Sequence, residues 1–584
     1  MGFGAGQVCA SAGVTPAATA STSNRANRSA VEPWEASGRE AFITRAILQR
    51  VAAAPDRGRV SDKGMMRRPF METDARAQTI RLHPTDNVVI ARVQIADGTA
   101  VAPEGIVAGT RIPEGHKVAT RTIRTGDPIL RYGEIVGFAG TDIAPGDHVH
   151  THNCVLHDFA RQYEFGTATR PTEVIIPAAT FHGIVRADGR VATRNYLAIL
   201  SSVNCSATVS RYIADAFKRH PVTGESLLDE FPNVDGVVAL THRTGCGLAS
   251  SGEGIDVLRR TMGGFARHPN FASTFIVGLG CESNQVGDII TTQRLKMAKT
   301  MQAFTIQEMG GAKKTIERGI AQIRELLPDA NRIRRQPVPV SELILALQCG
   351  GSDGYSGITA NPALGVASDI LVRHGGTVIL SETPETWGAE HLLTRRAVSP
   401  EVGAKLLALF DWWLDYTARN GGEFDNNPSP GNKAGGITTI VEKSLGALAK
   451  AGTTNLVDVV RYAEAVRSKG FVFMDTPGYD PVSATGQVAG GANLMCFTTG
   501  RGSVFGCVPA PSLKLSTTTS LYRRMGDDMD LNCGGIADGD DTIEACGQRI
   551  FDALVRVASG EKTRSEAQGF GEAEFAPWQI GAVM

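Results

Sequence analysis

The chain has 584 residues, with 59 Lys and Arg against 60 Asp and Glu and a formal net charge of −1 at pH 7. That length predicts several domains, and the charge balance excludes the broad basic footprint of a nucleic-acid or anionic-membrane binder. Hydrophobic residues make up 42% of the chain, but the apolar runs stay at about five to eight residues, far short of the roughly 18 that span a bilayer. Ten cysteines are too sparse for a disulfide scaffold. No basic segment followed by an apolar one opens the sequence, so reduced thiols and a cytoplasmic protein are expected. Any basic groups that matter must therefore be local, placed to hold a small acidic ligand.

Residues 1–70 are rich in Ala, Ser, Thr and Arg, with one short helical pattern at 41–54. They read as a disordered or mis-assigned extension, with Met66 or Met71 as better starts. A transit peptide is disfavoured by Glu32, Glu35, Glu40, Asp56 and Asp62. Residues 79–154 carry short β runs (87–93, 117–122, 129–132, 134–137) broken by "PEG", "TGD" and "APGD" turns, which predicts a small all-β domain. A Pro-containing linker at 155–180 follows. From 181 the pattern becomes alternating strands and helices, the signature of doubly wound α/β units. Seven apolar runs (197–200, 236–240, 274–278, 343–347, 377–380, 471–474 and 494–497) read as buried parallel strands. Helical patterns follow several of them, at 207–217, 362–374 and 401–413. The break at "RRQPVPVSE" divides a first α/β domain, 181–337, from a second, 338–584.

Open α/β sheets bind ligands outside the carboxyl ends of their strands. Those ends here read "SSVNCS", "THRTGCG", "LGCESNQ", "QCGGSDGYSGITANP", "SETPE", "DTPGYD" and "TTGRGS". Turn formation accounts for the 66 glycines that cluster at such places. It does not account for Cys205, Cys246, Cys281 and Cys349, so a shared polar site is expected.

"QCGGSDGYSGITANPALG", "NPSPGNKAGGITTIVEKSLG", "FTTGRGS", "GLGCESNQ" and "EGHKVA…YGEIVG" together resemble the altronate/galactarate dehydratase family, over nearly the whole chain from about residue 80. "HVHTHN", "SETPETWGAEHLL" and "NPSPGNKAGG" look more like the altronate branch. The resemblance implies an N-terminal β-clip domain of the SAF type followed by α/β domains. It also implies dependence on a divalent metal, Fe(II) or Mn(II), and an iron–sulfur cluster is a less favoured alternative.

Several residues stand out as participants. His148, His150 and His152 alternate and would share a strand face. His150, with His116 of "PEGHKVA", is the expected proton-exchanging imidazole. Lys433, between Gly431 and Gly435, is a candidate base or carboxylate holder. Cys246, Cys281 and Cys349 are candidate metal ligands with Glu282, although no CxxC pair exists. Arg194 and Arg501 are the expected carboxylate clamps. Asp353, Asn361 and Glu382 are candidates to position substrate hydroxyls or bind metal, and Asn195 is a candidate substrate-binding residue. Each also has a structural reading: a solvated strand end, a small buried thiol, a helix-end charge or a surface lysine.

The expected reaction is loss of water from a 2,3-dihydroxy acid. A base takes the C2 proton, an acid helps the C3 hydroxyl leave, a metal stabilises the enediolate, and the enol becomes a 2-keto-3-deoxy acid. A lyase of the same scaffold acting on galactarate or a sulfonated hydroxy acid is the first rival, and a non-catalytic sugar-acid-binding protein the second. A nucleotide enzyme is disfavoured, because no G-x-x-x-x-G-K-[ST] motif is present. A small-molecule acid is the expected partner, in a homo-oligomer, most simply a dimer, without nucleic acid or membrane.

Overall fold

The computed structural model describes residues 77–581, apart from 158 and 160. The helical pattern at 41–54 and the alternative starts Met66 and Met71 lie outside the described residues. Among the described residues no helix is long and apolar enough to cross a membrane.

An all-β domain comes first. Thr79–Ile80, Val88–Ala91, Lys117–Ala119 and His148–Val149 form an antiparallel sheet in that order. Pro128–Arg131, Glu134–Ala139 and Cys154–Val155 form another. Val89, Ala91, Ile95, Val101, Ile112 and Val118 pack between turns. The "APGD" turn needs its glycine: Gly146 sits at φ +93, and a Cβ there would lie 1.9 Å from the Val107 carbonyl oxygen.

The next domain holds a parallel sheet of β1 (Tyr196–Ser201), β2 (Gly236–Leu240), β3 (Phe271–Gly278) and β4 (Met301–Thr305), ordered β2-β1-β3-β4. Helix α1 (Asn204–Asp215) follows β1. The "RRQPVPVSE" stretch is less a break than an edge strand. Gln336–Pro339 runs antiparallel along Thr180–Val185, so the domain is entered and left at the same place. Pro337 and Pro339 are tolerated there because an edge strand can spare N–H donors.

The C-terminal domain is built on seven parallel strands: β5 (Ile344–Cys349), β6 (Thr377–Leu380), β7 (Leu456–Val460), β8 (Gly470–Met474), β9 (Leu494–Thr499), β10 (Ser512–Ser516) and β11 (Leu531–Asn532). Their order is β7-β8-β6-β5-β9-β10-β11. Helices cover both faces, which is why β6, β8 and β9 are buried at every position. Helix α2 (Ala360–Arg373) follows β5, and α3 (Pro400–Asn420) begins on a Ser399 cap with Pro400 and ends at Gly421 in the left-handed region. The expected α/β multidomain class with a small N-terminal β domain is what the chain adopts.

Candidate functional site

In the seven-stranded sheet, β5 and β9 are neighbours whose onward connections lead to opposite halves of the sheet. Ligand crevices open at such a switch point, outside the carboxyl ends. Cys349 closes β5, and Glu382 follows β6 in the left-handed region at φ 69, rare for a residue with a side chain. Its N–H donates to Thr476 Oγ1 at 2.9 Å. From that turn springs the short helix Thr383–Thr386, which brings Glu385 round to Glu382. One ligand atom each from Cys349, Glu382 and Glu385 then lie within 4.8 Å of one another, all buried. Glu382 Oε1 and Glu385 Oε2 have no hydrogen-bond partner.

Two lysines come from the opposite side, one on helix α5 (Ile440–Leu448) and one just past its end. Lys450 Nζ lies 2.7 Å from Cys349 Sγ and 3.7 Å from Glu382 Oε2. Lys443 Nζ donates to Glu385 Oε1 at 2.7 Å and to Asn427 Oδ1 at 2.9 Å. Burial drives the Cys349 thiol up to about 11 and lifts Glu382 well above the usual carboxylate range, with Glu385 adding to it. Burial works against both ammoniums, but neighbouring acids hold them charged: Glu385 for Lys443, Cys349 and Glu382 for Lys450. Asp480 opens the helix after β8. Burial, then Glu385, raise it to about 7. Gly350 makes room for it, since a Cβ there would meet Asp480 Oδ2 at 2.5 Å.

The β domain closes over the neighbouring loop. Lys117 Nζ donates to both Glu442 oxygens, at 3.0 and 2.9 Å, and to the Gly436 carbonyl at 2.7 Å. Arg131 adds Glu442 Oε1 and the Gly354 carbonyl. Burial alone would raise Glu442, but Lys117 and Arg131 outweigh it and hold the carboxyl at about 2. Beside this triad a cleft is lined by Arg131, Tyr132, Asp353, Asn361 and Lys443. His116 and His150 reach the helix α4 (Pro430–Ala434) of "NPSPGNKAGG". His150 Nε2 is 2.8 Å from the Lys433 carbonyl and His116 Nε2 3.3 Å from that of Ala434. A carbonyl only accepts, so each Nε2 carries the proton and donates it. Burial, then the His150 charge, lower His116 to about 4, and burial with His116 lowers His148 to about 3. Both rings are therefore neutral at physiological pH.

Three family models match in register with these domains. Residues 77–157 match the altronate/galactarate dehydratase SAF domain, residues 183–331 the D-galactarate dehydratase/altronate hydrolase second domain, and residues 340–583 the D-galactarate/altronate dehydratase C-terminal domain. The chain belongs to the galactarate/altronate dehydratase family. Galactarate dehydratase (L-threo-forming) of Escherichia coli K12 is 39% identical over 501 residues, 83% of this chain and 93% of that protein. Altronate dehydratase of Bacillus subtilis 168 is 34% identical across 84% of this chain and 97% of its own length. That of Escherichia coli K12 is also 34% identical, across 85% and 98%. Similarity over the whole chain thus does not favour the altronate branch to which the short motifs pointed.

Within this galactarate/altronate dehydratase fold the residues expected from sequence separate into groups. Cys349 and Glu382 meet at the centre. Asp353 and Asn361 line the adjoining cleft but are engaged. Asp353 accepts from Ser356, Thr517 and the Tyr355 N–H. Asn361 bonds the Gly446 carbonyl and Thr498. Arg501 lies exposed, its Cβ side against Gly351.

Other expectations need correction. Arg194 spends all five N–H donors inside the protein, on Glu566 twice and on the Thr193, Val557 and Glu561 carbonyls, so none remains for a substrate. Asn195 is likewise committed to Arg186, Asn233 and Ala330. Glu282 folds back on Ser202 and the Leu279 and Gly280 amides, locking its own loop. Cys246 and Cys281 belong to the four-stranded sheet, on a different domain from Cys349. His116 and His150 have Nε2 engaged by the α4 carbonyls, and their other nitrogens contact His148 and Thr151. They dock the β domain instead of offering a free base. Lys433 takes part through its carbonyl.

Sequence reasoning missed Glu385, Lys443, Lys450, Asp480 and the Lys117–Glu442–Arg131 triad. Glu385 and Asp480 sit in strand-end segments, "SETPE" and "DTPGYD". Lys443 and Lys450 are seven apart, a spacing that a helix starting at 440 and continued one turn would bring to one face.

Proposed function

We propose that this chain dehydrates a sugar acid bearing a 2,3-diol, of the altronate or galactarate type, to a 2-keto-3-deoxy acid, with a divalent Fe(II) or Mn(II) held by Cys349, Glu382 and Glu385. The observation that carries this reading is the buried thiol and carboxylate pair with two unpartnered oxygens at the sheet's switch point. Mixed sulfur and oxygen donors suit those ions, and the family membership supplies the reaction class. When bound, the ion supplies positive charge that offsets the substrate carboxylate and makes the C2 proton easier to remove.

The chain's own residues do the rest. Lys443 and Lys450, held as ammoniums, neutralise the carboxylates and orient an acidic ligand among them. Asp480 titrates near neutrality, which suits a base that takes the C2 proton and later releases it. Lys450, held as an ammonium, supplies the proton to the departing C3 hydroxyl, so that water leaves and the enol tautomerises. The docked β domain shields the cleft from solvent on the Lys443 side.

The test is formation of 2-keto-3-deoxy acid from altronate and from galactarate by chelated enzyme, with and without added Fe(II) or Mn(II) under reducing conditions. Full activity after verified metal removal would show that Lys443 and Lys450 alone balance the site. No product from either acid would sink the substrate class.

A further inference from the structure

We propose that Cys205, Cys246 and Cys281 hold a [4Fe–4S] cluster through three thiolates, in the second domain and independently of the Cys349 centre. The order β2-β1-β3-β4 puts a second switch point between β1 and β3, again where a ligand crevice is expected. The three cysteines follow the two strands that flank it and the next strand out: Cys205 after β1, Cys281 after β3 and Cys246 after β2, which pairs with β1. Among the described cysteines these three alone are exposed, and all the others are buried. Burial is the usual fate of a cysteine with no chemical task.

The three loops form one unit. The Asn204 N–H donates to the Thr244 carbonyl at 2.9 Å and the Asn284 N–H to that of Gly245 at 3.0 Å. Asn284 Nδ2 reaches the Ser202 carbonyl at 3.0 Å, and Ser202 Oγ donates to Glu282 at 2.6 Å. Glu282, expected to be a ligand, is instead part of the frame. Two of the cysteines are each preceded by a glycine that no other residue could replace without strain. Gly245 lies at φ +103 with its Cβ position 2.4 Å from the Ser202 oxygen, and Gly280 at φ +128 with its own 2.4 Å from Gln307 Oε1.

The sulfurs have donors around them. Gln307 Nε2 lies 3.5 Å from Cys281 Sγ. Cys205 lies in the first turn of α1, which holds no acid, so the positive end of the helix faces its sulfur without a competing carboxylate on that turn. Hydrogen bonds of this kind to sulfur are what tunes a cluster.

Spacing separates a cluster from a single ion. One tetrahedral ion with bonds of about 2.3 Å needs sulfurs roughly 3.8 Å apart. The three thiols are not within 4.8 Å of one another, the reach that Cys349, Glu382 and Glu385 satisfy. A cubane spreads its irons over several corners and accepts a wider triangle. With three protein thiolates its fourth iron keeps a position for water or for an oxygen of a small acid. On assembly each thiol releases its proton as sulfur bonds to iron, and two ferrous ions, two ferric ions and four sulfides, supplied from outside the chain, make up the 2+ core without any further oxidant.

The full chain, reconstituted without oxygen from a mixture of ferrous and ferric iron with sulfide and then desalted, is assayed for iron, acid-labile sulfide and visible sulfur-to-iron absorption. About four sulfides per chain are expected, with four irons for the cluster and one more at the Cys349 centre. The Cys205→Ser/Cys246→Ser/Cys281→Ser variant should hold no sulfide and no more than the single iron of the Cys349 centre, with far-ultraviolet circular dichroism confirming that it is folded. Cys349→Ser should keep all the sulfide, which separates this site from the proposed catalytic centre. Sulfide absent from the parent, iron bound one per chain without sulfide, or equal sulfide in the folded triple variant would each overturn the proposal.

Discussion

Replacing Glu442 with Gln removes the one negative charge between Lys117 and Arg131 while keeping shape and volume. All three side chains are essentially excluded from solvent. The carboxyl sits at about 2 against an ordinary 4.5, which corresponds to roughly 3 kcal/mol at about 1.4 kcal/mol per unit. Because the folded value is depressed, that stability is fully present above pH 4.5 and is lost as pH falls toward 2. Two buried cations left without their counter-charge make the loss at pH 7 about 3–5 kcal/mol. Urea unfolding at pH 7 should show that loss, and protease cleavage in the 155–180 linker should accelerate as the β domain detaches. In the parent, stability should fall steeply between pH 4.5 and 2; in Glu442→Gln this component should be missing. A second change, Lys117→Met, removes one orphaned cation and should recover part of the loss. A Glu442→Gln protein within 1 kcal/mol of the parent at pH 7, with an unchanged acid profile, would refute the reasoning.

Cys349→Ser should weaken metal retention and lower kcat at least tenfold; dialysis against chelator followed by metal analysis and assay checks both. Asp480→Asn should abolish the rise of kcat/KM expected as pH passes through about 7, and a pH–rate profile of the two proteins decides it. Because this carboxyl is raised when folded, the same residue makes the parent lose stability between about pH 3.8 and 7, and the variant's thermal midpoint should be flatter there. His150→Asn keeps an N–H for the Lys433 carbonyl, so kcat should stay within about tenfold, short of the 10²–10⁴ fall of a lost acid–base group; steady-state kinetics test this. Arg194→Lys should cost at least about 2 kcal/mol of stability and leave KM unchanged, measured by denaturant titration and substrate saturation.

The domain order was legible because it rests on local pattern. Runs such as 236–240 and 377–380 are apolar but for Thr377 and coincide with strands buried on both faces. Strand ends rich in Gly, Cys and Asp marked where the crevices open. Strands β4, β7 and β10 escaped notice because polar residues interrupt them. Lys514 sits inside β10 and is tolerated only because its Nζ finds the Phe505 carbonyl at 3.0 Å, a partner supplied by the fold. Residue roles were less legible for the same reason. An arginine looks alike whether it clamps a substrate or a neighbouring helix, and only the five protein acceptors around Arg194 decide which. Four strand-end cysteines looked equivalent in sequence, but three surround one switch point and the fourth another, because the strand order of each sheet is set by long-range pairing. Charge is the clearest case. Lys443, Lys450, Glu385 and Asp480 carry ordinary side chains, and burial beside one another, which no local window contains, gives them their chemistry.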